Sequence, residues 1–269
     1  MSMHKTLIAF AELRPEMLLI DVSFDLGDSA AGERAYAAGH LPGAHYLHLE
    51  RDLSGAKTGS NGRHPLPDRA AFAERMRALG LSKHTQVVAY DAQGGMYAAR
   101  LWWMLRWIGH EAAAVLDGGP RGTLSAELPQ ALPGDFAMGP SLVPTLSADE
   151  LQARLGNVRL VDARAPERFR GEVEPLDRQA GHIPGASNRL FKLNLQADGT
   201  FKPVEVLRAE FEDLLAPFAP EQVVHQCGSG VTACHNLLAM EYAQLPGSAL
   251  YAGSWSEWSS DPVRPVAKG

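Results

Sequence analysis

Short apolar runs alternate with helical patterns along this chain. Leu18–Val22 and Val87–Tyr90 are brief and nearly continuous in apolar residues, which predicts buried strands. Val223-Val224 ends a third run of the same kind. Pro67-Asp68-Arg69 opens a helix running to about Leu79, with apolar positions at Phe72, Met76 and Leu79. Ala98 to Ile108 predicts a second helix, and Thr232 to Gln244 a third. Trp102, Trp103 and Trp107 fall at helical spacing and are assigned to a core. Alternation of this kind predicts the α/β class, with a mainly parallel sheet flanked by helices. Ligands of such sheets sit beyond the carboxyl ends of the strands. Asp91 and Cys227 stand at two such ends.

The pattern occurs twice. Leu18-Leu19-Ile20-Asp21 is answered by Leu160-Val161-Asp162, and Ala38-Gly39-His40-Leu41-Pro42-Gly43-Ala44 by Ala180-Gly181-His182-Ile183-Pro184-Gly185-Ala186. Gln86-Val87-Val88-Ala89-Tyr90-Asp91 is answered by Gln222-Val223-Val224-His225-Gln226-Cys227. The offsets for Asp21, His40 and Asp91 are 141, 142 and 136 residues, in one order, so the chain reads as a tandem duplication. The stretch 125–144 is rich in Pro and Gly and reads as a connection. The expected organisation is a first domain over 1–128, a linker over 129–144 and a second domain over 145–269.

The repeat is also an internal control: what both halves carry serves the fold, and what one half carries is a candidate for chemistry. His40 and His182 recur, as do Asp21 and Asp162, and are read as structural turn residues. Cys227 has no counterpart cysteine; Asp91 takes its place. Cys227-Gly228-Ser229-Gly230-Val231-Thr232-Ala233 joins a strand to a helix, and its glycines let successive N–H groups turn inward. With the helix start adding partial positive charge, Gly228, Gly230, Val231 and Thr232 are expected to line a cradle for a thiolate, or for an anion beside it. That role needs a sulfur that solvent can reach. Arg168, Arg170 and Arg178 precede the second Gly-His turn and suit a small carboxylate or oxyanion. On spacing alone, His64 reads as a histidine of a surface loop, with Glu50 and Asp52 upstream. Cys234 reads as a packed core residue.

Composition narrows the classes. At 269 residues, 45% hydrophobic and 21% charged, the chain has the composition of a soluble globular protein large enough for two domains. A net charge of −6 argues against a nucleic-acid surface, and no apolar run is long enough to span a bilayer. The first residues lack the apolar core of a signal peptide, and two cysteines make no disulfide framework. A reducing, cytoplasmic setting is the expectation. Ten histidines form no metal-ligand pattern.

The duplicated Gly-His-(Leu/Ile)-Pro-Gly-Ala turns, the Asp91/Cys227 asymmetry and Tyr251-Ala252-Gly253-Ser254-Trp255-Ser256-Glu257-Trp258 resemble the two-domain rhodanese-type sulfurtransferases. The resemblance covers essentially the whole chain. The loop from Cys227 to Ala233 is similar to that of the 3-mercaptopyruvate sulfurtransferase branch, whereas the thiosulfate branch places Arg and Lys where Gly228 and Ser229 stand. The resemblance implies two rhodanese-like domains, the first non-catalytic and the second carrying Cys227. It implies a persulfide on Cys227, formed from 3-mercaptopyruvate with loss of pyruvate and emptied by a thiol acceptor, such as thioredoxin or a low-molecular-weight thiol, or by cyanide. No metal or organic cofactor is implied. Arg168 matches an arginine that binds the substrate carboxylate, and Arg178 fills the second arginine position at a shorter spacing. Ser229 and His64 match a proton relay, with Glu50 or Asp52 as its acidic member. Two departures stand out: 117–122 lacks a following tryptophan, and Asn188-Arg189-Leu190-Phe191 replaces an apolar run, which puts a further positive charge, Arg189, near the expected pocket.

Rival readings are a related phosphatase, a non-catalytic binding module and a thiosulfate:cyanide transferase. The phosphatase needs an arginine six positions after the cysteine, where Ala233 stands. The binding module does not account for a cysteine kept in an intact glycine turn. Gly228-Ser229 removes two positive side chains that would favour the thiosulfate dianion, so thiosulfate ranks second.

Overall fold

A computed structural model of the chain describes residues 3–269. Its contacts form two compact units. The first holds the chain up to Gly55, Leu66–Leu142 and Ala197–Phe201; the second holds Ala56–Pro65, Val143–Gln196 and Lys202–Gly269. The divide therefore departs from contiguous halves. The segment Ala56–Pro65, early in the sequence, belongs to the later unit. The stretch read as a linker is pinned down as far as Leu142. Its Gly134, Phe136 and Gly139 amides donate to the carbonyls of Arg77 (2.8 Å), Leu81 (3.1 Å) and Ile108 (3.0 Å). Arg77 and Ile108 lie at helix ends, where carbonyls lack partners within the helix.

In the first unit the strands are β1 (Leu7–Ile8), β2 (Leu18–Asp21), β3 (His45–Tyr46), β4 (Val87–Tyr90) and β5 (Ala113–Leu116). The helices of eight or more residues are α1 (Ala31–Ala38), α2 (Arg69–Ala78) and α3 (Ala98–Trp107). The sheet runs β1-β5-β4-β2-β3, and every pairing is parallel. Asp68 caps α2 by accepting from the Ala71 amide, so the Pro-Asp-Arg signal starts the helix where the sequence predicts. Trp102 and Trp103 are buried, and Trp102 donates its indole N–H to the Lys5 carbonyl at 2.8 Å.

The second unit repeats the plan with β6 (Arg159–Asp162), β7 (Ser187–Asn188), β8 (Val223–Gln226) and β9 (Ala249–Leu250) in the order β7-β6-β8-β9, again all parallel. Its helices are α4 (Ala148–Arg154), α5 (Pro166–Phe169), α6 (Val204–Leu215), α7 (Ala233–Tyr242) and α8 (Ser254–Trp258). The registers match: Asp21 faces Tyr90 across β2 and β4, and Asp162 faces Gln226 across β6 and β8. The cores match as well. Leu19, Leu41 and Val88 pack together in one unit, as Leu160, Ile183 and Val224 do in the other. Fully burying a side chain of this size stabilises by about 1.5–3 kcal/mol.

The duplicated turn residues have one duplicated task. His40 exchanges backbone hydrogen bonds with Ser125, stacks on Tyr36 at 3.9 Å and places Nδ1 2.8 Å from the Tyr36 carbonyl. His182 does the same with Ala267 and Phe169, at 3.9 and 2.8 Å. Asp21 and Asp162 each accept the amide two residues on, at 2.8 and 2.9 Å, and so turn the chain at a strand end.

His225, in the middle of β8, is fully buried, with Nε2 3.0 Å from the Met240 sulfur. Burial pushes its pKa from 6.5 down to about 3, with the nearby Arg189 charge acting the same way. The unfolded chain thus binds a proton here between those two values that the native state refuses. Stability therefore rises with pH across that window and is lost as pH falls. From pH 7 to pH 5 this residue alone is expected to cost about 2 kcal/mol of unfolding free energy. Urea denaturation at both pH values checks this, and His225→Gln is expected to flatten the slope; an unchanged slope in that variant contradicts the assignment.

Candidate active site

Cys227 follows β8 directly, as Asp91 follows β4, so both sit at the carboxyl end of a central strand. Asp91 shows what the turn is built to do. Its carboxylate accepts four backbone N–H groups, from Gln93, Gly95, Tyr97 and Ala98, each at 2.8 Å. Burial raises its pKa while those four donors pull it down. A closed ring of amides around one buried anion is a nest.

The Cys227 loop stands at the equivalent strand end, one residue shorter and with one left-handed glycine, Gly230, where the first has two, Gly94 and Gly95, and it carries a sulfur in place of the carboxylate. Among the described residues, the amides of Gly228, Ser229, Val231 and Thr232 donate to no protein acceptor. The Cys227 amide itself donates to Ser254 Oγ at 3.0 Å. The Cys227 and Gly228 carbonyls accept the Trp255 and Ser256 amides at 3.0 and 2.9 Å, which satisfies the open first turn of α8. Gly230 sits at φ +76°, and a Cβ there would lie 2.2 Å from the Ala252 carbonyl oxygen. Cys234 is buried on α7 and directs its thiol to the Gly230 carbonyl at 3.4 Å.

His64, read on spacing as a surface residue, is buried at 3% exposure, and its Nδ1 lies 2.8 Å from Ser229 Oγ. It belongs to the Ala56–Pro65 segment of this unit, which the neighbouring Arg63 amide fastens to Ser256 Oγ at 2.9 Å. Of its two candidate acidic partners, Asp52 accepts the His48 amide at 2.8 Å and the Arg75 Nε at 3.0 Å.

The arginines divide. Arg168 comes up to the loop: a Cβ built on Gly228 would lie 3.4 Å from its Nη1. Arg168 Nη2 pairs with Glu174 Oε1 at 2.7 Å and with Asp177 Oδ2 at 3.2 Å. Arg178 is exposed and lines a cavity of ≈ 220 Å³ shared with Arg63, Asp177 and Ser256. Arg170 pairs with Glu172 at the surface. Arg189 is not at this pocket. It is buried over Phe211 and bound to Glu210 at 2.7 Å and to Asn194, because a buried guanidinium needs carboxylate and amide oxygens to offset its burial.

The sequence reading did not single out Arg63, Glu174 or Asp177 for the site. Arg63 Nη2 would lie 2.8 Å from a Gly228 Cβ, and its Nη1 binds Asp177 Oδ1. Asp177 is nearly buried; burial pushes its carboxyl up, and Arg63 and Arg168 oppose that. The expectation of an open sulfur is corrected: Cys227 as a residue is 1% exposed, with two guanidiniums drawn against the next residue of its loop.

Comparison with known proteins agrees with this fold. The family described as a Rhodanese-like domain matches residues 9–124 and 147–261. A Pseudomonas aeruginosa protein named a probable 3-mercaptopyruvate sulfurtransferase is 48% identical, over 95% of this chain and 93% of its own. A thiosulfate sulfurtransferase of Cricetulus griseus is 35% identical over 97% and 92%. The structure of SseA from Escherichia coli, described by its rhodanese fold and 3-mercaptopyruvate sulfotransferase mechanism, aligns with TM-score 0.75 and 32% identity, covering 90% of this chain and 94% of that one. The chain belongs to the rhodanese family and is a sulfurtransferase built of two rhodanese-like domains.

Proposed function

We propose that the second unit carries sulfur from 3-mercaptopyruvate to a thiol through a persulfide on Cys227. One contrast carries this reading. The turn that holds a carboxylate with four amides in the first unit holds a sulfur in the second, beside the His64–Ser229 pair. The Cys227 thiolate attacks the donor sulfur and forms the S–S bond. The donor C–S bond breaks, and its electron pair stays on carbon as the enolate of pyruvate. The proton from the donor thiol passes to Ser229 and His64, and the enolate carbon takes up a proton to give pyruvate. The persulfide anion then sits in the amide cradle formed by Gly228, Gly230, Val231 and Thr232, as the Asp91 carboxylate sits in its own.

Arg168 holds the donor carboxylate, with Arg178 at the rim. Among candidate acceptors, thioredoxin or a low-molecular-weight thiol attacks the outer sulfur, which regenerates the Cys227 thiolate. Two free thiols and a persulfide fit a reducing, cytoplasmic setting. No helix here is long and apolar enough to cross a membrane, among the described residues.

Thiosulfate is the second donor to consider, since relatives bear both names. Steady-state kinetics with each donor test the reading. Mercaptopyruvate is expected to give a kcat/KM at least about tenfold above that of thiosulfate. Intact-mass spectra after donor alone are expected to show one added sulfur that a thiol removes. Faster turnover of thiosulfate overturns the choice of donor, and the absence of any added sulfur overturns the persulfide.

A further inference from the structure

The Arg63–Asp177 pair has a position that sulfur chemistry alone does not require. Arg63 lines the ≈ 220 Å³ cavity on one side and lies against Gly228 on the other. Asp177 lines the same cavity and binds Arg168, which also lies against Gly228. The pair thus joins the cavity to Gly228, the residue that follows Cys227, which is itself 1% exposed. The Asp177 carboxylate is shared, one oxygen on each arginine: Oδ1 with Arg63 and Oδ2 with Arg168. Two guanidiniums spaced to divide one planar carboxylate form a template for another of the same shape.

The backbone under this contact is fixed while the side chain is not. The Arg63 amide is bound to Ser256 Oγ, whereas its side chain is 25% exposed. Opening is therefore a change of side-chain rotamer, over a loop that stays in place.

We propose that the Arg63–Asp177 ion pair is a gate over Cys227, opened by a small carboxylate that takes Asp177's place on Arg63 and Arg168, so that Arg63 selects anionic reactants. The proposal rests on Cys227 being the reactive sulfur. It makes donor binding an exchange of one carboxylate for another. A neutral reactant cannot make that exchange, since displacing Asp177 would leave the half-buried Arg63 guanidinium without its carboxylate, while Arg168 keeps Glu174.

Alkylation tests this without any sulfur donor. Iodoacetate and iodoacetamide differ in charge and little in shape, and both put a carbon on the Cys227 sulfur with loss of iodide. Rates are read by mass spectrometry, with the site assigned by fragmentation and each rate normalised to that of a free thiol. The wild type is expected to prefer iodoacetate by at least about tenfold. Arg63→Gln is expected to lose most of that preference, about tenfold, without slowing iodoacetamide, and Arg63→Lys to keep part of it. Asp177→Asn is expected to speed both reagents, because the resident anion is gone. A preference within about twofold of wild type in Arg63→Gln, or slower reaction of both reagents in Asp177→Asn, overturns the gate. If the preference fails while mercaptopyruvate still turns over, the gate falls and the donor assignment stands; if the preference holds and neither donor turns over, the reverse is true.

Discussion

Replacing Cys227 by serine is expected to cut sulfur transfer from either donor by at least about a thousandfold, and to leave the fold in place. An alkoxide forms far less readily than a thiolate, and oxygen cannot hold a sulfane sulfur that a thiol can then collect. The substitution is nearly isosteric at a residue that is 1% exposed, and its amide still reaches Ser254 Oγ. A sharper control is Cys227→Asp. The first unit already closes this turn around a carboxylate with four N–H donors, so the variant is expected to fold with undiminished Tm and to have no activity. Donor turnover, the added-sulfur mass and a thermal melt read both variants. Residual turnover above about one per cent in either would remove Cys227 from the chemistry.

The second large effect is on stability. Gly230→Ala is expected to destabilise the second unit by about 3 kcal/mol or more, a fall in Tm of roughly 6–12 °C. The left-handed conformation at φ +76° costs a residue with a Cβ about 1–2 kcal/mol. The new methyl group would also lie 2.2 Å from the Ala252 carbonyl, a backbone atom that cannot swing aside alone. Any shift there reaches Ser254, which holds the Cys227 amide. Gly228→Ala is the contrasting case. Its backbone is not in the left-handed region, and its methyl group meets only side-chain ends, Arg63 at 2.8 Å and Arg168 at 3.4 Å. It is expected to fold normally and to displace Arg63. A melt of both variants checks the difference; equal Tm values would mean that the turn relaxes more freely than its geometry implies.

What the sequence made legible was local or repeated. β4 falls on Val87–Tyr90 as predicted, and α2 and α3 end within a residue or so of expectation, because apolar period, capping and the first glycine after a helix are short-range signals. The pairing of Asp91 with Cys227 came from comparing the halves, which share a register through β2–β4 and β6–β8. The arrangement around the sulfur was legible only in part. Ser229 lies two residues from Cys227, but His64 came into view through the family resemblance, since 165 residues separate it from the serine it touches. Arg63 and Asp177 left no signal, because an ion pair across 114 residues has no period and no spacing. The sequence reading takes Arg178 as a charge that complements a donor and gives its neighbour Asp177 no role. Burial decided otherwise in space: the aspartate turns inward between two arginines, and the arginine stays at the exposed rim. Arg189 misled for the same reason, since a lone cation in a sequence does not reveal that Glu210 lies opposite it.

The ten residues Ala56–Pro65 have a practical consequence. A gene fragment beginning at Val143 would encode the whole second sheet and the cysteine, yet neither His64 nor Arg63. Such a truncation severs reactivity from scaffold, and an inert fragment would say nothing against the sulfur it still contains. Complementing that fragment with a synthetic peptide spanning the missing decamer would show how much of the lost rate those ten residues restore.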